Sequence, residues 1–358
     1  MDFSLSEEQL LIRDSFRGSL EQIAPLDKVR QSANSDVLSG DIWRQLTDLG
    51  MPGLLVPESH CGSGLKLLDA VVVSEELGRV AAPVAFTAAA IMAPLALLAS
   101  NNRQLQSDWL PKIAAGEARI CVGVSEASAG ARSGYGVETK YGSVEGKALY
   151  CLDAGDAEAV IAGDQDGNLQ FIEMPQAGLS AVIPTTIDTT RRVADITFSG
   201  APASALTSNE KSLRRIIDAG RIMLAADSLG AAEVMLEQAV AYAMERRQFN
   251  RVIGSFQAIK HLCADMAAQL QPCRALIWYA AYAFDHMPQE ASLAAALAKS
   301  QMDDVGRFVA RSATEVHGGM GYTDLQGLHF WFKRIGFNRA LLGGPERLRE
   351  EAARLQGM

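Results

Sequence analysis

Cysteine and histidine are both scarce in this 358-residue chain. The five cysteines are an odd number without a CxxC pair, and the five histidines include no HxxxH spacing. Structural zinc sites need closely spaced ligands, and disulfide frameworks need paired thiols. The sequence therefore predicts no metal site, and it predicts five reduced thiols in a cytoplasmic protein.

Positive charge is also in short supply. The chain has 33 Lys and Arg against 42 Asp and Glu, a net charge of -9, and no Lys/Arg block offsets the excess of acid. This balance argues against a nucleic acid or an anionic membrane as a partner. Any negatively charged ligand must be held by local basic residues.

Long apolar runs are limited to one, AAPVAFTAAAIMAPLALLA, residues 81–99. Its length permits a membrane span, but its two internal prolines and many alanines favour a buried helix with a break near Pro94. The N-terminus, MDFSLSEEQLLIRDSF, carries acidic residues from the start, so we expect neither a signal nor a transit peptide.

The hydrophobic pattern divides the chain into three zones. Residues 1–117 read as helical, with Ser6 as the cap of a first helix that begins Glu-Glu-Gln. Residues 118–205 contain β-branched runs separated by Gly and Asp-Gly, which predicts antiparallel strands and hairpins in a β-barrel or sandwich. Residues 206–358 read as long helices. Near the end, Leu-Leu-Gly-Gly-Pro (residues 341–345) predicts a break between two helices.

Two late motifs have chemistry suited to an anion. In MERRQFNRVIGSFQAIKH, Arg246 and Arg247 follow a helix, and two guanidiniums at such a bend can hold a diphosphate through bidentate hydrogen bonds. The alternative is a solvated helix end with salt bridges. In HGGMGYT, starting at His317, glycines permit both a helix stop and close approach of backbone amides to a ligand, or else form a simple helix C-cap.

These segments, in this order, resemble the acyl-CoA dehydrogenase family over nearly the whole chain. The most specific matches are RRQFNRVIGSFQAIKHLCADMA and EVHGGMGYTDLQGLHFWFKRI, supported by VSEASAG and the N-terminal segments. The resemblance implies an α+β multidomain fold, with an N-terminal helical domain, a middle antiparallel β domain and a C-terminal four-helix bundle. It also implies FAD as cofactor, an acyl-CoA substrate and an electron-transfer flavoprotein as acceptor.

The resemblance further implies a set of FAD-binding positions. They comprise Arg246, Gln248, Phe249 and Gln257, then Glu315, His317, Gly318 and Gly319 towards the FAD of a neighbouring subunit, and Ser125 in the middle domain. Four departures stand out. Asn250 replaces a glycine, Glu315 replaces a glutamine, and Ala131 replaces a serine. Leu149 to Asp153 replace a tryptophan-containing run, where Tyr150 either stacks on the flavin or is an ordinary strand residue.

The catalytic base of the family is a glutamate, and neither of its two usual positions is acidic here. One falls on Gly343, in the predicted helix break, and the other on Gly220, next to Arg221. Glu346, on the turn after Pro345, is the remaining candidate, whereas Asp218 should point elsewhere, about 200° around the helix from Gly220. A proton α to a thioester is weakly acidic and needs a positioned carboxylate.

Three interpretations follow. The chain is a base-less subunit, resembling the short subunits of heterotetrameric steroid side-chain acyl-CoA dehydrogenases, or it is a complete homotetrameric enzyme with an unplaced base. A helical scaffold without flavin would predict decay of RRQF and HGG, and neither has decayed. In each case we expect an oligomer, and Leu293, Leu297, Met302 and Val305 fall at near-helical spacing as a possible interface stripe.

Overall fold

The computed structural model describes residues 4–35, 40–129, 136–140, 142–164 and 166–358. Its N-terminal part is helical, as predicted. The helices are α1 (Glu7–Ile23), α2 (Leu26–Ala33), α3 (Gly40–Asp48), α4 (Leu67–Arg79), α5 (Ala93–Ala99) and α6 (Arg103–Ala114). The predicted cap is confirmed: Ser6 Oγ accepts from the Gln9 amide, and the Gln9 side chain accepts from the Ser6 amide.

The long apolar run is a buried helical segment. Phe86–Met92 form a π-helix in which every residue is buried, and α5 continues from Ala93 with Pro94 in its first turn. Proline is tolerated there because the first amides of a helix have no intrahelical acceptor. The predicted break near Pro94 is thus a change of helix type. Within the described residues, no helix has the length and apolarity needed to cross a membrane.

The middle of the chain forms one mostly antiparallel sheet. Its strands are β1 (Ile120–Gly123), β2 (Gly136–Lys140), β3 (Ser143–Leu152), β4 (Ala159–Gly163), β5 (Asn168–Glu173), β6 (Leu179–Val182), β7 (Val193–Pro202) and β8 (Ser204–Ser208), with a short helix α7 (Ser125–Ala129) after β1. They are ordered β6-β7-β3-β1-β4-β5-β8, with β2 paired to β3 and with β1 parallel to β4. The last strand passes the predicted boundary at residue 205 by three residues.

The C-terminal part is helical. Its elements are α8 (Glu210–Glu245), α9 (Gln257–His286), α10 (Ala291–His317), α11 (Leu328–Ala340) and α12 (Pro345–Leu355), with a two-stranded hairpin, β9 (Arg247–Gln248) and β10 (Arg251–Val252), between α8 and α9. The helices α8, α9 and α10 contact one another, and α11 lies against α8 and α10.

Two glycines bring α4 and α8 into close contact. A methyl group on Gly78 would lie 2.0 Å from the Asp227 carbonyl oxygen, and one on Gly230 would lie 1.9 Å from the Glu75 carbonyl oxygen. Only glycine permits backbones to approach this closely. The N-terminal and C-terminal helices therefore share one hydrophobic core.

A buried carboxylate joins the middle domain to the C-terminal helices. Asp227 on α8 accepts hydrogen bonds from the Arg334 guanidinium at 2.8–3.2 Å, and it pairs with Arg191 at 3.1 Å. Arg191 lies two residues before β7, whereas Arg334 lies on α11. Burial by itself would raise the pKa of Asp227, but the two guanidiniums lower it well below its ordinary value.

The predicted stripe on α10 does not lie on a single face. Met302 and Val305 are buried in the chain's own core, whereas Leu297 is 41% exposed. Leu293 packs against Leu348 of α12 and its neighbours. Only Leu297 thus remains for contact with another chain.

Candidate functional site

The segment between α11 and α12 is the break predicted from Leu-Leu-Gly-Gly-Pro. Two buried cations hold it: Arg221 Nε donates to the Leu342 carbonyl at 3.0 Å, and Lys299 Nζ donates to the Asn338 carbonyl at 3.0 Å. The last carbonyls of a helix have no intrahelical donors and carry partial negative charge. The break is therefore a fixed part of the structure.

The two glycines at the usual base positions face the same region but differ in free space. Gly343 has φ +101°, and a methyl group there would lie 3.5 Å from Arg221 Nη2, an ordinary contact distance. A methyl group on Gly220 would lie only 2.6 Å from Leu342 Cδ1 and 2.7 Å from Met92 Sδ. The space beside Gly220 is therefore filled by the chain's own side chains.

The nearby acids are bound to other side chains. Glu351, which sequence reasoning missed, accepts a bidentate pair from Arg221 at 2.7 and 3.0 Å and also pairs with Arg214. Its position eight residues after Gly343, within the helix that follows the break, is the signal that the sequence offers. Glu346, the candidate from sequence, has a side chain 75% exposed that pairs with Arg339 at 2.8 Å.

Asp218, which the helical angle predicts to point away from Gly220, lies beside Ser292 of α10. Its carboxylate accepts from Ser292 Oγ at 2.5 Å and lies 3.4 Å from Arg221 Nη1. The long side chain of Arg221 reaches back by about one turn to make this contact, whereas the side chains beside Gly220 are those of Leu342 and Met92. Burial raises the pKa of Asp218, and the charges of Arg214 and Arg221 oppose that rise.

A cavity of about 200 Å³ opens beside these groups. Charged side chains make up much of its lining, including Arg214, Arg221 and Glu351, together with Ser128 and Ile217. Such walls are suited to polar atoms and unsuited to a hydrocarbon chain.

The middle-domain candidates lie near the same region. Ser128 Oγ donates to the Ser125 carbonyl on α7, and the Ser128 carbonyl would lie 3.7 Å from a methyl group on Gly343. Tyr150 lies at a bulge of β3 with φ +50° and is 39% exposed, so both interpretations of its role stay open. Ala131 falls outside the described residues.

The RRQF motif forms an exposed hairpin. Arg246 caps α8, and the turn between β9 and β10 places Phe249 and Asn250 at φ +51° and +63°. Asn250, which replaces the glycine of the family, thus has a left-handed backbone, a conformation that asparagine adopts more readily than most residues. Phe249 is 87% exposed, and its ring meets the Phe256 ring edge-on at 6.1 Å, next to Gln257 at the start of α9.

The HGG motif lies against the end of α8, next to this hairpin. The His317 ring stacks on Tyr242, whose carbonyl accepts from the Arg246 amide at 2.8 Å. His317 Nδ1 donates to the Ala313 carbonyl at 2.8 Å, and burial lowers the pKa of its ring. Gly318, at φ +57°, and Gly319 have no atom within 4 Å of an added methyl group. Glu315 is exposed nearby on α10.

This end of the molecule presents two neighbouring guanidiniums, a pairing that suits an anion. Arg246 and Arg247 are exposed and form no ion pair with any described residue. The space beside Gly318 and Gly319 is open, so an anion could approach the backbone there, although the Gly318 amide itself donates to the Glu315 carbonyl. We refer to Arg246, Gln248, Phe249, Gln257 and the His317–Gly319 segment as the hairpin site.

The hairpin site and the region around Gly343 are at opposite parts of α8. Arg221 and Arg246 are separated along this helix by about 37 Å, at 1.5 Å per residue. One chain therefore contains two separate regions. The hairpin site lies at one, and the glycines at the usual base positions, Gly343 and Gly220, lie at the other.

Comparisons with known proteins agree with this architecture. Residues 6–117 match the model "Acyl-CoA dehydrogenase, N-terminal domain", and residues 211–356 match "Acyl-CoA dehydrogenase, C-terminal domain". The acyl-CoA dehydrogenase IpdE2 of Mycobacterium tuberculosis is 30% identical over 344 residues, 96% of this chain and 95% of the relative.

Solved structures share the fold. The Tcur3481–Tcur3483 steroid ACAD superposes with a TM-score of 0.90 at 26% identity, covering 99% of both chains. The ChsE4–ChsE5 complex of Mycobacterium tuberculosis gives a TM-score of 0.91 at 23% identity, covering 100% of this chain and 99% of the other. On these matches, the chain belongs to the acyl-CoA dehydrogenase family.

Proposed function

We propose that this chain is a subunit of a heteromeric, FAD-dependent acyl-CoA dehydrogenase and that a partner chain carries the catalytic glutamate. The proposal rests on one observation. Neither Gly343 nor Gly220 supplies a carboxylate, whereas the residues of the hairpin site are present. Glu351, an acid of this region, is held by Arg221 and Arg214, so its oxygens are already engaged in the fold.

In this proposal the hairpin site serves the flavin of the partner. FAD, when bound, accepts a hydride from the β-carbon of the acyl group. Arg246 and Arg247 would hold its diphosphate by charge-assisted hydrogen bonds, beside the open backbone at Gly319. The partner's glutamate would remove the α-proton as the hydride leaves the β-carbon, because neither base position of this chain carries a carboxylate.

The similarity to the Tcur3481–Tcur3483 steroid ACAD supports a steroid-derived acyl-CoA as the substrate class. We propose an electron-transfer flavoprotein as the electron acceptor and the cytoplasm as the compartment. The assembly is a heterotetramer with two FADs, because only the partner chains contribute complete flavin pockets.

Co-expression with a neighbouring acyl-CoA dehydrogenase reading frame tests this proposal. The chain purified alone should show no dye reduction with octanoyl-CoA or a steroid-CoA, and the co-purified complex should be yellow and active. Light scattering and flavin counting should then give two FADs per four chains. A fully active homotetramer with one FAD per chain would favour the complete-enzyme alternative.

A further inference from the structure

The space beside Gly220 is closed by two apolar side chains from different parts of the chain. Leu342 precedes Gly343 in the helix break, and Met92 ends the π-helix. Both are buried, at 4% and 0% exposure, and both belong to a hydrophobic cluster with Ile217 and Leu224 of α8. Since a methyl group on Gly220 would lie within 2.7 Å of each, they leave no free volume there.

Leu342 reaches this place through an uncommon backbone conformation. Its φ is +55°, in the left-handed region that non-glycine residues seldom adopt, and Gly343 follows at φ +101°. Arg221 holds the conformation by donating to the Leu342 carbonyl at 3.0 Å. By contrast Leu341, the preceding residue in the same cluster, has an extended backbone with φ -75°.

We propose that Leu342 and Met92 form a plug that excludes a hydrocarbon chain from the space beside Gly220, with Arg221 as the residue that positions it. The inference rests on the proposed function, because it explains how a subunit without a base avoids holding an acyl chain unproductively. The ligand class that the plug excludes is the straight or branched apolar tail of an acyl thioester.

Removing the plug should create an apolar cavity at this place. Cavities lined by leucine and isoleucine side chains stay dry and accept apolar ligands. Leu342→Gly suits this purpose because glycine adopts a positive φ without strain, and Met92→Ala removes the second side chain. Ile217 and Leu224 would then line the new space.

The test compares octanoyl-CoA with CoA on the isolated full-length chain by titration calorimetry. CoA lacks the hydrocarbon tail, so the ratio of the two affinities measures the contribution of that tail. We expect a ratio near one for the wild type and a preference for octanoyl-CoA of about tenfold or more in Met92→Ala/Leu342→Gly, since burying a few methylenes contributes that much. Leu341→Ala is the matched control and should keep the wild-type ratio.

Three outcomes would overturn the plug. They are a tenfold preference for octanoyl-CoA in the wild type, an unchanged ratio in a double variant with wild-type circular dichroism, or an equal gain in Leu341→Ala. If the double variant does not fold, the affinity ratios of the wild type and of the single variant Leu342→Gly still test the plug. Binding of the octanoyl tail by the wild type without turnover would refute the plug only, whereas turnover by the isolated wild-type chain would refute the proposed function.

Discussion

The His317 imidazole stacks on the Tyr242 phenol, with the ring centroids 4.6 Å apart and the planes 27° from parallel. Tyr242 lies one helical turn before Arg246, so this contact joins the two motifs that sequence reasoning had treated separately. The pairing explains how residues far apart in the chain form one surface for an anion.

We expect Arg246→Ala to weaken FAD retention in the co-purified complex. Loss of one charge-assisted contact to a diphosphate should cost about 1.5–3 kcal/mol, roughly ten- to a hundredfold in affinity. Flavin content after dialysis at limiting FAD measures the effect. Arg44→Ala, which removes an exposed arginine of α3, is the control, and equal flavin content in both variants would sink the prediction.

Gly230→Ala should be strongly destabilising. The added methyl group would lie 1.9 Å from the Glu75 carbonyl oxygen, so α4 and α8 would have to separate. We expect a loss of about 3 kcal/mol or more, the upper part of the range for overpacked cores. In Gly18→Ala, on α1, the new methyl group meets nothing within 4 Å, and it should stabilise by about 0.5–1 kcal/mol. Urea denaturation measures the free energy of unfolding of both variants. A loss in Gly230→Ala together with a gain in Gly18→Ala would show that the close backbone contact, and not helix propensity, controls the effect at Gly230.

Arg334→Met should lower the free energy of unfolding by about 3–5 kcal/mol, because it leaves Asp227 as a buried charge with only part of its compensation. The comparison is Arg354→Met, which breaks an exposed pair with Glu350 on α12 and should cost less than about 1 kcal/mol. Similar losses in the two variants, measured by urea denaturation, would contradict a special role for the buried pair.

Glu75 should make stability depend on pH. Burial raises the pKa of its carboxyl from 4.5 to about 7, although the charge of Arg274 opposes the rise, and Glu233 and Glu76 face the same cluster. Between pH 4.5 and 7 the folded chain therefore binds more protons than the unfolded chain. Its stability should fall as pH rises through this window.

Glu75→Gln removes this titration, so its thermal midpoint should decline less than that of the wild type between pH 5 and 7.5, about the limits of the window. Glu237→Gln alters a carboxylate that pairs with Arg79 at the exposed rim of the cluster, and it should keep the wild-type slope. A Glu75→Gln slope equal to that of the wild type would show that another group controls the pH dependence.

Local chemistry was enough to predict several features of this protein. The Ser6 cap and the break at Leu-Leu-Gly-Gly-Pro each depend on a few neighbouring residues. The zones of helix and strand could be predicted for the same reason, because the hydrophobic period is also a local property of the sequence. The segments resembling acyl-CoA dehydrogenases are likewise contiguous, which is why the family could be predicted from sequence.

Tertiary structure decided everything that depends on residues meeting across the chain. The contact between Glu351 and Arg221 depends on the position of α12 in the fold. The contact between Asp218 and Arg221 depends on the arginine side chain, which spans about one helical turn. The sequence showed that Gly220 lacks a carboxylate, but only the fold showed that Leu342 and Met92 fill the space beside it. A glycine in a sequence specifies the absence of a side chain, whereas the neighbouring elements decide whether that absence leaves a pocket or a close contact.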